Sequence, residues 1–182
     1  MEKEFVIGVA GASGIIYAQR LLETLCGSAV VHLIISEQAE KIAAIEGVRL
    51  RDFDAIYSEN SDLAAEIASG SFRHDGMAVV PCSMKSLAAI SSGFSDTLIT
   101  RAADVCLKER RKCILLLREM PFSRIHLKNM LDADEAGAMI MVASPPFYHK
   151  PQTIDDLVDM VVARVLDHLG AEHSTGTRWR GE

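Results

Sequence analysis

A doubly wound α/β fold, with a parallel sheet held between two layers of helices, is what this sequence predicts. Three observations lead there. Short runs that are apolar throughout alternate with segments of helical spacing along the chain, the pattern of strands buried on both faces. Glycine and serine cluster directly after the apolar runs, where strand-to-helix turns fall. Apolar residues make up 49% of the 182 residues but aromatics only 5%, so aliphatic side chains and methionine must build the core.

The elements follow in order. "EFVIGVA" (residues 4–10) is a strand, and a helical pattern runs from Ser13 to about Cys26. "AVVHLIIS" (29–36) is a second strand, and "EQAEKIAAIEG" a helix stopped by Gly47. "DLAAEIASG" is a weaker helix ending at Gly70. "GMAVVPC" (76–82) is a third strand that runs into the helical "SMKSLAAISSG". In "DTLITRAADVCLKERRK" the basic residues occupy the last turns, where they suit the helix dipole. "CILLLR" (113–118) and "AMIMVA" (138–143) are strands four and five, with a helix through Leu131 between them. The last helix runs from Thr153 to Leu169 and is closed by Gly170. Five such units fit a flavodoxin-like, Rossmann-like sheet in three α/β/α layers better than the larger two-half dinucleotide fold. At roughly 150 residues per domain the chain is one domain, 1–170, with a short tail, 171–182.

Composition excludes several classes. The net charge of −6 opposes nucleic-acid binding, which draws on clustered Lys and Arg. No apolar run reaches the ~18 residues of a membrane span, and no signal peptide is expected from the pattern of the first residues. The four cysteines form no C-x-x-C pair, so the chain is expected to be cytoplasmic with free thiols. A mean hydropathy of +0.16, high for a soluble chain, points to a buried interface in a homo-oligomer.

Ligands in such folds bind outside the carboxyl ends of the strands. After strand one comes "GVAGASG", with Gly8, Gly11, Ser13 and Gly14. Its G-x-x-G-x-x-G spacing is not the dinucleotide fingerprint. It lets backbone N–H groups approach an anion at a helix start, although a tight turn accounts for the glycines equally well. Ser36 follows strand two. In "PCSMK" after strand three, Ser83 suits an N-cap, while Lys85 in the first turn opposes the dipole and hints at a bound anion. Arg118 and Glu119 follow strand four, and "SPPFYHKP" after strand five presents Phe147, Tyr148 and His149.

Arg101 and Lys108, seven residues apart, lie within ~20° of one helix face, with Asp104 between them. A solvated ion-pair face is the commoner meaning of such a run. Arg164 stands at the edge of the apolar stripe of the last helix. "DDLVD" (155–159) matches a magnesium-binding D-D-x-x-D pattern, but Thr153 followed by Asp156 makes a capping box the stronger reading. His32 in a strand and His168 on the apolar side of a helix read as packed, hydrogen-bonded residues.

Together "GASG", "PCSMKSLAAISSG", "LITRAADVCLKERR", "REMPFSRIHLKNM", "PPFYHKPQTIDDLVD" and "ARVLDHLG" resemble the UbiX-type flavin prenyltransferases, a family once described as aromatic acid decarboxylases. The resemblance covers nearly the whole chain and is weakest from Gly47 to Arg73. Ile15 and Ala18 stand where smaller residues are common, and Met120 where Thr or Ala is usual. The resemblance implies an enzyme that joins a dimethylallyl group from dimethylallyl phosphate to N5 and C6 of reduced FMN. The prenylated FMN then serves a UbiD-type decarboxylase. It also implies that Gly11, Ala12, Ser13, Ser36, Ser83, Met84, Lys85, Ser86 and Arg118 hold FMN, with Arg101 close by. Lys108, Arg118, Glu119, Tyr148 and Arg164 would surround the prenyl phosphate, and Trp179 would cover an allylic cation.

Ser13, Glu46, Lys108 and Glu119 are the implied catalytic residues. Ser13 would sit near N5, Glu46 matches an acidic position of the family, and Glu119 among cations makes sense as a proton carrier. Fixed cations would stabilise the departing phosphate, with no metal. Homo-oligomers as large as dodecamers, with sites between subunits, are implied too. Two other readings stay open: an FMN-dependent decarboxylase of an aromatic acid or a cysteine-type substrate, and a non-catalytic FMN carrier.

Overall fold

The protein is described by a computed structural model covering residues 2–176 and 178. Six strands form one fully parallel sheet: β1 (Glu4–Val9), β2 (Val30–Ile35), β3 (Ile56–Glu59), β4 (Gly76–Cys82), β5 (Cys113–Leu117) and β6 (Met139–Val142). Their order is β3-β2-β1-β4-β5-β6. The helices are α1 (Ile15–Leu25), α2 (Glu37–Glu46), α3 (Met84–Ser91), α4 (Leu98–Lys108), α5 (Arg124–Glu135) and α6 (Ile154–Leu169). The doubly wound architecture is the expected one. With β3 counted the order is 3-2-1-4-5-6, that of the two-half dinucleotide fold, while the five strands read from the sequence run 2-1-3-4-5 among themselves, the flavodoxin order.

The strand count is corrected by β3. "IYSE" lies at the sheet edge beside β2, and an edge strand needs no apolar run because one side meets solvent. The weak helix expected over 62–70 is also corrected. Only Glu66–Ala68 is helical, as a single 3₁₀ turn. Side chains take the place of helical N–H groups there. Arg101 Nε donates to the Ala68 carbonyl at 3.2 Å, and Arg111 donates to the Gly70 and Phe72 carbonyls at 2.6 and 2.7 Å.

The sheet divides the core in two. Phe5, Ile7, Val9, Leu33, Val80 and Leu116 pack against α1, α2 and α6. Val6, Ile34, Met77, Val79, Leu115 and Leu117 pack against α3, α4 and α5. All seven residues of β4 are buried, which is why that strand reads as an unbroken apolar run. In α6 the stripe from Val158 through Val161, Val162, Val165 and Leu166 to Leu169 is buried as its spacing requires, whereas Leu157 is half-buried and Ile154, in the first turn, is exposed.

His32, inside β2, is buried and meets Glu4 Oε1 at 2.7 Å. The half-buried His168 accepts from Arg164 at 3.2 Å. Both are packed residues, as read. Two of the three acids of "DDLVD" are committed as well. Asp156 Oδ2 accepts the Thr153 N–H at 3.0 Å, while Thr153 Oγ1 accepts the Asp156 N–H at 3.1 Å. Asp159 pairs with Arg20.

The cysteines are unpaired, with Cys82, Cys106 and Cys113 buried and Cys26 half-buried. Burial pushes the Cys82 and Cys106 thiols up to about 12 and raises Cys113 well above the ordinary range. A thiol stays protonated and unreactive below its pKa. Burial raises the Cys26 thiol as well, but solvent reaches this half-buried residue, so at pH 8 the native protein is expected to consume a thiol reagent slowly and at Cys26 alone, and peptide mapping checks where the label sits. Labelling of Cys106 in folded protein would contradict this account.

Candidate active site

The strand order reverses between β1 and β4, and the crevice at such a switch point is where ligands bind in open α/β sheets. A cleft of about 310 Å³ opens there, at the lower end of small-molecule sites. Gly11, Ser36, Ser83, Met84, Lys85, Ser86 and Glu119, seven of the residues expected from the sequence, line it together.

Local sequence explains the walls. Ser36 caps α2 by accepting the Ala39 N–H at 3.2 Å, and Ser83 caps α3 by accepting the Ser86 N–H at 3.2 Å. The Ser83 and Ser86 hydroxyls lie 3.1 Å apart. The Met84 and Lys85 N–H groups belong to the first helical turn, where no intrahelical acceptor exists. Lys85 is exposed beside them. Hydroxyls, helix-start amides and an ammonium group form a donor set suited to a phosphate ester. Gly11 is required by packing, since a Cβ there would come 2.5 Å from Gln38 Cβ in α2.

The start of α1 departs from expectation. Gly14 occupies its N-cap at φ 97° with no side-chain cap of its own. The Gly14 and Ile15 N–H groups donate to Glu46 Oε1 and Oε2 at 2.9 and 2.8 Å. The anion at this helix start is thus supplied by the protein, from the last residue of α2. Ala12 is buried and its N–H donates to the Ala10 carbonyl at 2.8 Å. Ser13 is exposed, and its carbonyl accepts from Arg118 Nε at 3.1 Å. Glu119, next along, accepts the Met120 N–H at 3.0 Å.

Other expected residues lie elsewhere in the subunit. Arg101 points to the Ala68 carbonyl and to Asp104, 3.1 Å away. Lys108 closes α4 at the far end from the cleft, about 15 Å along the helix, and pairs with Glu109. Within the subunit these two make the solvated ion-pair face rather than a ligand wall. Tyr148 and Arg164 line a separate cavity of about 380 Å³ with Asp167 and Arg178. The Arg164 side chain is 57% exposed, further out than its place beside the apolar stripe suggests. Trp179 lies outside the described residues.

Sequence reasoning missed Gln38, Asn60, Asp96, Thr97 and Thr100, which also line the cleft. Asn60 follows β3 and anchors the start of α4: its side-chain oxygen accepts the Ile99 N–H at 3.1 Å and its carbonyl the Leu98 N–H at 2.8 Å. The rule of looking just past each strand finds Asn60 once β3 is recognised. Thr97 and Thr100 form a reciprocal capping box, a pairing legible in the sequence.

Comparison with known proteins bears on this geometry. The flavoprotein family pattern matches residues 1–166. The flavin prenyltransferase UbiX of Methanocaldococcus jannaschii is 47% identical over 180 residues, 97% of this chain and 98% of that protein. The crystal structure of AnUbiX (PadA1) in complex with FMN and dimethylallyl pyrophosphate superposes with a TM-score of 0.94 at 41% identity, covering all of both chains. A dodecameric FMN-dependent UbiX-like decarboxylase from Escherichia coli O157:H7 superposes with a TM-score of 0.92 at 45% identity, covering 98% of this chain and all of that one.

Glu46 provides a test of how the site is held. Glu46→Ala leaves two N–H groups at the α1 start without their carboxylate, and loss of a cap costs about 1–2 kcal/mol. Chemical denaturation is expected to show that loss. Glu46→Gln, which keeps one acceptor oxygen, is expected to fall between. Unchanged stability in Glu46→Ala would mean the contact contributes nothing.

Proposed function

The chain belongs to the UbiX-type flavin prenyltransferases of the flavoprotein family, and on that premise we propose that it joins a dimethylallyl group from dimethylallyl phosphate to N5 and C6 of reduced FMN. One observation supports this reading most: the switch-point cleft puts phosphate-suited donors on one wall and a carboxylate, Glu119, on another. A non-catalytic FMN carrier has use for the donors but none for the acid. Residues 1–170 act as one FMN-binding domain carrying the tail 171–182.

Gly11, Ala12, Ser13, Ser36, Ser83, Met84, Lys85, Ser86 and Arg118 hold FMN, the phosphate facing the α3 start. When bound and reduced, the flavin supplies the nucleophilic ring positions. Arg118 braces the Ser13 carbonyl, which fixes the turn that follows β1. Ionising an allylic C–O bond loads charge onto the departing phosphate, and fixed cations in a dry site stabilise it. Glu119 moves protons, giving one to the bridging oxygen of the phosphate and recovering one when the second bond closes.

Lys108 stands too far along α4 to serve the cleft of its own subunit, so a neighbouring subunit supplies it, and Arg101 and the Tyr148–Arg164 pair join the same site on assembly. Exposed Ile45, Met120, Ile125 and Phe147 supply apolar surface for that assembly, and a close relative is dodecameric. Among the described residues no helix is long and apolar enough to cross a membrane. With its reduced thiols the protein works in the cytoplasm, passing prenylated FMN to a UbiD-type decarboxylase.

Incubating the protein with reduced FMN and dimethylallyl phosphate is expected to add one five-carbon unit to the flavin by mass analysis. Recovery of unchanged FMN, with CO₂ released from an added aromatic acid, overturns the proposal in favour of decarboxylation. Because Asp156 and Asp159 already serve a capping box and an ion pair, a chelator is expected to leave turnover intact. Restoration of lost turnover by magnesium would show otherwise. Arg164→Ala is expected to retain FMN while prenyl transfer falls roughly ten- to hundred-fold, the worth of one charge-assisted contact of ~1.5–3 kcal/mol. Normal turnover at limiting dimethylallyl phosphate would make Arg164 a surface residue.

A further inference from the structure

Residues 171–176 and Arg178, after α6, lie back along that helix, and one carboxylate fastens them. Asp167 Oδ1 accepts from His173 Nε2 at 3.1 Å and from Arg178 Nη2 at 2.7 Å. Its Oδ2 accepts from Arg164 Nη1 at 2.9 Å and from Arg178 Nη1 at 3.3 Å. The His173 side chain is only 2% exposed. Gly176 makes close seating possible: at φ 76°, a Cβ there would lie 2.8 Å from Ala163 Cβ and 3.1 Å from the Asp159 carbonyl oxygen. Thr175 adds a 3.4 Å hydroxyl contact to Thr24 of α1.

The seated segment completes the 380 Å³ cavity, so that Arg164 from the helix and Arg178 from the tail line it with Tyr148. Two guanidinium groups share one carboxylate, leaving a net positive charge on the wall. Each guanidinium carries five N–H donors, and the contacts to Asp167 and His168 use two on each. The remaining donors suit an oxyanion that accepts several hydrogen bonds at once. Burial pushes the Asp167 carboxyl up, but Arg178 and His173 outweigh it and hold the group below its ordinary value. The carboxylate therefore stays ionised as a fixed hinge between the two arginines.

We propose that Arg178 is a second phosphate-binding guanidinium beside Arg164, and that Asp167 is the positioning residue that sets both against the cavity. This rests on the reading that the cavity takes the phosphate of dimethylallyl phosphate. The tail then acts as part of the substrate site, and its seating on α6 is a condition for phosphate capture.

Steady-state kinetics with dimethylallyl phosphate varied at saturating reduced FMN test the proposal, in parallel with calorimetric titration of dimethylallyl phosphate into FMN-loaded protein. Arg178→Ala is expected to raise KM and weaken binding ten-fold or more, with kcat less affected and FMN affinity unchanged. Arg178→Lys, which keeps the charge, is expected to recover part of the loss. Asp167→Asn is expected to raise KM and also to speed amide hydrogen exchange over residues 171–176, whereas Arg178→Ala retains most protection there because His173 and Gly176 still seat the tail. If Arg178→Ala leaves KM and binding unchanged while Asp167→Asn loosens the tail, Arg178 is a fastener and the proposal fails. Arg164→Ala separates the two readings: raised KM in Arg164→Ala alone overturns only the role of Arg178. Unchanged binding in both arginine variants removes the cavity from the phosphate site altogether.

Discussion

The contact between the Glu46 carboxylate and the first two N–H groups of α1 is the one on which the site depends. An α-helix that starts on glycine at positive φ has no cap of its own, and its unpaired N–H groups draw a carboxylate. By supplying that carboxylate from the end of α2, the fold locks two helices together at the carboxyl edge of the sheet. The lock sets the spacing that makes Gly11 and Gln38 touch, and it holds the Ser13 turn where Arg118 reaches its carbonyl.

The same economy governs the other charges. In the single subunit Arg101 faces Asp104, Lys108 faces Glu109, and Arg164 faces Asp167. Each of these pairs is partly exposed, where an ion pair contributes little to stability. Such cations are readily redirected toward a phosphate ester, which offers more charge and more acceptors than a single carboxylate. By contrast the Arg20–Asp159 pair, bidentate at 2.5 and 3.0 Å between α1 and α6, is a fixed structural joint.

Much of this was legible in the residues. The apolar runs located five strands because a strand buried on both faces cannot alternate with polar residues. Ser36, Ser83 and the Thr153–Asp156 box declared helix starts through their own hydrogen-bonding chemistry. Because the sheet is parallel, the segments following β1, β2, β4 and β5 all emerge at one edge, so Gly11, Ser36, Ser83 and Glu119 could be expected together. The strand β3 escaped because "IYSE" is short and half exposed at a sheet edge, and with it went Asn60. The 62–70 segment failed as a helix because arginines from α4 and from the turn after it claim its carbonyls, a contact no local pattern announces.

The sequence by itself determined the fold class, the helix caps and the strand ends that carry chemistry, because these follow from burial, periodicity and hydrogen bonding within a few residues. It also carried, through its motifs, the family to which the chain belongs. Only the tertiary structure decided which charges meet. Glu46 reaches the α1 start across 31 and 32 residues, and Arg20 reaches Asp159 across 139. Asp167 gathers the tail because Gly176 can lie on Ala163. Lys108 and Glu119 part company because α4 runs the length of the sheet, with one end at the cleft and the other away from it. Separations of that kind are set by the path of the chain through the packed core, where a one-dimensional pattern carries no distance.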